Sequence, residues 1–569
     1  MSTLDTDVVD AAFVDAVTAA ADAAVDQLLA GDSPASLGDA PLGPHRESMR
    51  RAKLLVVAYL APNSRRAGDR RLTDAAQEYA AALEAMQSRT GLFLGGDNVE
   101  SPPDSGFTIN DLGDVLELIA RSDARSDLSR LDALLRSIAD RATPAMLAGG
   151  VHTPNHRWEL AAALTRLHRV RPDESLRARI EQWLAEGVDI DGDGLYSERS
   201  ANYAAHVSNP SLLVIADALQ RPELLDVVEL NLTATLGLMH TDGSVETVHS
   251  RRQDQQTTRF PLAPYALHFR RLAIERGRGD FAWAARRALA EGIAEPQTAL
   301  AELLLHPVLS APLPAEEPPP VPARSTWGES GLVIDRTPRR TLVVYGGSDY
   351  RAFRRVRSGL ANNPTFLRMT AGPVVLEGLR LSREFFGLGP FRADAMEHTA
   401  DGLVLREELT PAYYQPLPAE LRRADGRYEL VDEGRFAAAM AFDRRPADIV
   451  SLRTRIDVRP TDDGAELVIA TEGPSSGWAL ELAFREGGSF EGLEPVGDEA
   501  FVLSEGWGRY RVGNAAMEFG PGAGVGGRPR YSPGEDYDYV GGTDALPGPR
   551  AYITGRSPGT VHLRLRAVD

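Results

Sequence analysis

PVLSAPLPAEEPPPVPAR, residues 307–324, separates two textures of sequence. So many prolines hold a segment extended and fairly stiff, as a linker. Upstream, apolar residues recur three and four apart, the spacing of one face of a helix. The expected helices are Val8–Leu29, Arg50–Leu60, Leu72–Met86, Ile109–Ile119 (with Thr108 or Asn110 as cap), Leu128–Arg141, Arg157–Val170, Glu174–Glu186, Ser211–Leu219, Glu223–Leu238, Pro261–Glu275, Phe281–Ala290 and Pro296–Leu305. No fixed-period repeat of the solenoid kind runs through them. Paired antiparallel helices over residues 1–306 are therefore expected to close as an (α/α) toroid. Downstream, residues 325–569 read as short runs such as LVIDR, TLVVYG, FLRMT, PVVLEGLRL, GLVLREEL, FAAAMAF, DIVSLRTRIDV, WALELAF and TVHLRLRAV, separated by Gly, Asp and Pro turns. Strand-like runs without intervening helices predict an antiparallel β-sandwich.

At 569 residues the chain exceeds what one core organises, consistent with this division. A net charge of −19 argues against a general nucleic-acid or membrane-surface binder, though not against a locally basic site for an anionic substrate. With no cysteine, thiolate catalysis, disulfides and cysteine-bound metals are excluded. No apolar stretch is long enough to span a membrane, and the N-terminus lacks a basic region followed by an apolar core. The expected location is cytoplasmic.

Three polar clusters interrupt the helical half. Val188–Ser211, VDIDGDGLYSERSANYAAHVSNPS, carries Tyr203 and His206 in a connection rich in titratable groups. His152-Thr-Pro-Asn155-His156-Arg157 precedes a helix with an apolar face, so Asn155 suits an N-cap, and Asn, His and Arg at a helix N-terminus suit a carboxylate. His249-Ser-Arg251-Arg252-Gln253-Asp254 offers guanidinium forks and amides to a polyhydroxylated anion. Gly96-Asp97-Asn98 and Ser101-Pro-Pro-Asp104 read as loops beside them. Arg157, His206, Arg251, Arg252, Asn98 and Asp104 are the candidate substrate-binding residues.

Asp189-Ile-Asp191-Gly-Asp193-Gly194 begins like a calcium loop, but position twelve is Ser200 where a bidentate Glu belongs. A turn is the better reading, with calcium at Asp189, Asp191 and Asp193 the alternative. No spacing makes a zinc site. Gly473-Pro-Ser-Ser-Gly477 spells a nucleophile elbow between strands rather than between strand and helix, and Gly522-Ala-Gly-Val-Gly-Gly527 spells a dinucleotide loop with no helix after it. Both read as turns.

A toroid followed by a sandwich, with an Asn-His pair opening a helix, a Tyr about fifty residues later within YSERSANYAAH and a further His, resembles the heparinase II/III-like and alginate-lyase-like polysaccharide lyases. The residue match covers about a hundred positions of the toroid. The resemblance implies β-elimination on a uronic-acid glycan without a cofactor. Asn155 and His156 would neutralise the carboxylate; Tyr203 would protonate the leaving oxygen and, in syn elimination, also take the C5 proton. His249 would act as base or charge stabiliser. These families place a His-bearing segment early in the sandwich; here the comparable stretch is Ser358-Gly-Leu-Ala-Asn362-Asn363-Pro-Thr365, without His. Two rival readings stand beside this one. A glycoside hydrolase on uronides would draw its acids from Asp97, Asp104, Asp111, Asp191 and Glu198. A non-catalytic carbohydrate-binding protein would need aromatic platforms, such as Tyr531, Tyr537 and Tyr539.

Overall fold

Helix starts follow their caps. Asp69 and Asp173 accept the backbone N–H groups of Arg71 and Ser175 at 3.1 and 2.8 Å, and Ser101 accepts that of Asp104 at 3.2 Å, each satisfying a donor that the first helical turn leaves open. The computed structural model describes residues 9–31, 36–37, 40, 43–95, 98–255, 257, 259–354, 359–431, 440–497, 499–525 and 546–568. Its α-helices before the proline-rich segment are α1 (Ala11–Gly31), α2 (Pro44–Leu60), α3 (Arg70–Ala85), α4 (Pro102–Arg121), α5 (Ser129–Ala148), α6 (His156–Val170), α7 (Glu174–Leu184), the single turn α8 (Ala201–Tyr203), α9 (Asn209–Leu219), α10 (Glu223–Leu238), α11 (Ala266–Arg276), α12 (Gly279–Ala290) and α13 (Pro296–Leu305).

Alternate helices pack side by side as an inner ring: α2 on α4, α4 on α6, α6 on α9, and α13 back on α2. Arg271 of α11 reaches Asp217 of α9 at 3.0 Å. Each inner helix carries an outer partner: α3 on α2, α5 on α4, α7 on α6, α10 on α9, α12 on α11 and α1 on α13. The first and last helices thus close the toroid. Its apolar layer includes Val17, Leu55, Leu83, Ile119, Leu164, Ile215 and Phe281, all buried. Inside the ring runs a line of paired charges. Lys53 Nζ donates to Asp111 and Asp114 at 2.8 and 2.7 Å, and Arg166 donates to Asp114 at 2.6 Å and to Asn110 at 2.8 Å.

The second half forms two large sheets. The nine-stranded sheet runs, neighbour to neighbour, through Arg324–Trp327, Leu332–Arg336, Thr341–Tyr345, Leu367–Ala371, Val374–Arg383, Gly477–Phe484, Arg550–Arg556, Ala500–Val502 and Glu494–Gly497. The eight-stranded sheet runs through Ser489–Glu491, Gly508–Val512, Ala515–Gly520, Gly559–Val568, Gly464–Glu472, Leu452–Pro460, Leu403–Leu409 and Ala395–His398. Pairing is antiparallel except between Ala500–Val502 and Arg550–Arg556. Period-two burial along Leu452–Pro460 turns Leu452, Thr454, Ile456 and Val458 to the core. There Ile456 and Val458 join Leu376, Leu480 and Phe484 of the other sheet, which makes the pair a sandwich. Gly555 lies opposite Trp478, and a Cβ there would sit 2.1 Å from the indole. Gly555→Ala is expected to destabilise this unit by about 1–3 kcal/mol through overpacking, read as a lower urea midpoint.

Contacts divide the chain into two compact units, and the linker marks only part of the division. Glu198–Ala201 and Glu246–Phe260 belong with Val321–Asp569; the remainder, through Pro320, forms the helical unit. The proline-rich segment is no free spacer along its first part. Arg270 donates to the carbonyls of Leu309 and Ala311, each at 2.7 Å, and Glu317 N–H bonds Gly279 O at 3.1 Å.

Several expectations need correction. Helix α4 starts at Pro102, not near Ile109: the two prolines occupy its first turn, where they cost no hydrogen bond. Neither Thr108 nor Asn110 caps it. Half of the expected Val188–Ser211 loop is helical, since α8 runs through a π-helical turn, Ala204–Ser208, into α9. Of the run FAAAMAF only residues 440–442 are described, and Phe442 opens a 3₁₀ turn rather than a strand. Gly96, Asp97, Ser358, Gly526, Gly527, Tyr531, Tyr537 and Tyr539 lie outside the described residues.

Candidate functional site

In the helical unit, α4 and α6 lie so close that a Cβ on Gly106 would stand 3.6 Å from the Glu159 side chain. Their first turns therefore present residues side by side. Asp104, in the first turn of α4, accepts from Asn98 at 2.9 Å and from the Arg46 guanidinium. Burial alone would raise its carboxyl pKa, but the Asn98 bond and the charges of Arg46 and His156 outweigh that and hold it below the ordinary value. His156 is the first residue of α6 and is buried. Its ring meets His152 edge-on at 4.9 Å and Phe107 at 6.4 Å, while Arg46 stacks over Phe107 at 3.9 Å. Asn155 precedes it, 2% exposed, with helical dihedrals and no side-chain capping bond. The expected N-cap role is thus corrected: Asn155 already stands on the helical spiral, where a cap would be extended.

Tyr203 is half-buried and closes α8, at the entry to the π-helical turn that packs against α6. Such wide turns recur at functional positions because they re-aim side chains. His206 sits in that turn with Nδ1 3.8 Å from Glu295. Arg157 faces carboxylates of its own chain, Glu186 at 2.9 Å and Asp189 at 2.7 Å, with its guanidinium over Trp158. Asp189 also accepts from Trp158 Nε1 at 3.1 Å and from Ser197. Asp191 accepts the N–H groups of Asp193 and Leu195 at 3.0 and 2.9 Å, as an Asx turn does. Among the described residues, no group of three or more His, Asp or Glu is arranged to hold a metal ion.

Glu159 lies one turn beyond His156 on α6. Burial pushes its carboxyl up to about 7, against the Asn110 hydrogen bond at 2.5 Å and the charges of Arg46 and Arg166. A carboxyl whose folded pKa exceeds its unfolded one binds its proton more tightly in the fold. That stability is fully present below the ordinary value of 4.5 and is lost as pH rises through about 7. The stability of Glu159→Gln relative to the wild type is therefore expected to rise between pH 5 and pH 8, measured by denaturant titration at each pH.

The third cluster belongs to the sandwich unit. His249 is 1% exposed, and burial, reinforced by the charges of Arg199 and Arg368 over the opposing Glu246, pushes its imidazolium pKa down to about 4. Burial thus favours the neutral imidazole over a fixed cation at this position. Arg251 is bound by both oxygens of Asp349, at 2.8 and 2.9 Å. Arg252 lies 3.4 Å from the buried Glu198. Where the His-bearing segment was expected, Asn362 N–H bonds Gln255 Oε1 at 3.0 Å and Asn363 Nδ2 bonds the Gln255 carbonyl at 2.7 Å. Both asparagines are buried tethers.

Each described acid of the hydrolase reading has a structural neighbour: Asp104 with Arg46, Asp111 with Lys53, Asp191 in its own turn and Glu198 with Arg252. Arg46 and Glu159 are the residues that sequence reading missed. Glu159 stands three positions after His156, a spacing that puts both on one helical face. Arg46 carries no comparable signal, because its partner is 58 residues away.

Among solved structures, a xanthan lyase from Paenibacillus aligns with a TM-score of 0.54 at 10% identity, over 98% of this chain and 57% of that one. A chondroitin AC lyase from Streptomyces coelicolor A3, in complex with chondroitin sulphate, gives 0.49 at 15% identity, over 99% of this chain and 80% of that one. A heparan sulfate lyase from Pedobacter heparinus gives 0.46 at 10%, over 92% and 76%. No protein-family model and no curated protein matches the chain. The likeness to the xanthan lyase shows a shared fold, toroid followed by antiparallel sheets.

Proposed function

We propose that the protein is a polysaccharide or oligosaccharide lyase that cleaves a uronic-acid-containing glycan by β-elimination. The observation that carries this reading is local: Asn155 and His156 open α6, and the turn entered at Tyr203 packs on that same helix. The lyase fold supports it.

The difficult step is removal of the proton on C5, because the electrons it leaves behind accumulate on the uronate carboxyl as an enolate. Preorganised donors at that carboxyl stabilise the charge without reorganising, and Asn155 and His156 at a helix N-terminus are such donors. Asp104, held by Arg46, sets a negative charge near His156. In syn elimination the Tyr203 phenolate takes the C5 proton, the C5 electron pair forms the C4–C5 double bond, and the C4–O4 bond breaks. The Tyr203 hydroxyl then returns a proton to the leaving O4, so acid and base are one residue. The chemistry calls for no cofactor. A cytoplasmic enzyme of this kind would meet short oligosaccharides; no described helix is long and apolar enough to cross a membrane.

Near-UV absorbance with a panel of uronate glycans tests the proposal. The expected result is a rising signal from the conjugated unsaturated uronate, lowered about 10²–10⁴-fold in Tyr203→Phe, the range of a lost proton-transfer group. Reducing ends released without that chromophore would overturn it in favour of hydrolysis.

A further inference from the structure

A small two-stranded sheet, Ala412–Tyr414 with Ala447–Ile449, stands apart from both large sheets of the sandwich unit. Tyr413 leaves 62% of its surface exposed there. Its ring lies 5.2 Å from that of Phe386, which lies 5.0 Å from that of Phe385. Phe385 is buried with Leu409 and Leu452 in a separate small core, so this row of rings is anchored from below. Phe386 holds φ at 52°, in the left-handed region that side-chain-bearing residues avoid. Strain of that kind persists where the surrounding structure imposes it, and functional surfaces are common places for it.

Hydrogen-bonding groups flank the rings. Asp448 is the cross-strand partner of Tyr413 and accepts from the Gln415 side chain. Gln415 directly follows the strand, and its bond to the residue opposite Tyr413 brings its amide to this part of the ribbon. Arg445 donates to the Gln415 carbonyl at 3.2 Å and brings a guanidinium to the strand edge. A protein partner would want a broad apolar area with a polar rim. Here one exposed ring is followed at once by an amide, a carboxylate and a cation. That pattern fits a pyranose: its C–H face covers the tyrosine, its hydroxyls reach Gln415 and Asp448, and an acidic substituent is complementary to Arg445.

We propose that Tyr413, Phe386, Gln415 and Asp448 form a glycan-holding subsite that takes one pyranose unit of an acidic polysaccharide and has no part in bond cleavage. It rests on the glycan reading above, though not on the lyase chemistry. The test is migration of the full chain in native gels containing chondroitin sulfate, heparan sulfate, alginate or xanthan. At least one glycan is expected to retard the wild type, with apparent affinity at least tenfold weaker in Tyr413→Ala and largely kept in Tyr413→Phe. Ile449→Ala, on the opposite face of the same ribbon, is expected to behave as wild type, and turnover of short oligosaccharides by Tyr413→Ala is expected to be unchanged. Equal retardation of wild type and Tyr413→Ala, or no retardation of the wild type by any of the four, would overturn the subsite. Tyr413-dependent retardation without any chromophore would support the subsite and count against the lyase reading alone.

Discussion

Replacing Lys53 with methionine is expected to destabilise the helical unit by about 3–5 kcal/mol, the cost of breaking a buried ion pair from one side. Lys53 is 1% exposed and stands between Asp111 and Asp114. Burial works against its ammonium, yet the two carboxylates outweigh burial and hold its pKa above the ordinary lysine value. Methionine fills much of the same volume, so packing is little disturbed and the loss is electrostatic. Arg166 still faces Asp114 in the variant, which leaves Asp111 as the carboxylate with the greater deficit. Lys53→Met combined with Asp111→Asn is therefore expected to recover part of the loss. Urea titration followed by far-UV circular dichroism checks both, and a single variant as stable as the wild type would show that the charges are solvated after all.

The second large effect belongs to the reaction. Asn155→Ala is expected to lower kcat about 10²–10³-fold with a smaller change in KM, the signature of a donor that acts on charge developing in the transition state. The residue is 2% exposed and makes no side-chain capping bond, so its loss does not remove a helix cap. The chromophore assay supplies the rates, and a thermal melt of the same sample separates lost chemistry from lost fold. If KM rises and kcat stays level, Asn155 binds the ground state only.

The two textures of the sequence, periodic apolar helices before residue 307 and alternating short runs after it, are the toroid and the sandwich. Legibility failed where polar residues are buried for a reason other than apolar packing. The first turns of α4 contain Asp104, Ser105 and Thr108, all buried, which erases the helical period over 101–108 and made that stretch read as loop. The Ala201–Ser208 segment was obscured likewise, since a π-helical turn shifts the spacing of its side chains. In the sandwich, strands of three or four residues such as Ser489–Glu491 and Ala500–Val502 are too short to show alternation. The candidate residues were visible as residue types, but their partners were not. Arg251 meets Asp349 98 positions later, and Asn363 meets Gln255 across 108, separations that only the folded chain closes.

Those long separations bear on how such a gene can be divided. A fragment beginning at the proline-rich segment would encode Asp349, Asn362 and Asn363 without Arg251 and Gln255, the residues that bind them. Its sandwich would start life with Asp349 lacking its guanidinium, and with the buried Asn362 N–H and Asn363 side-chain amide lacking their Gln255 acceptors. The helical half, ended at the same point, would carry two peptide insertions, 198–201 and 246–260, whose native contacts lie in the missing piece. The segment that looks like a hinge between modules is therefore the wrong place to recombine, truncate or transplant.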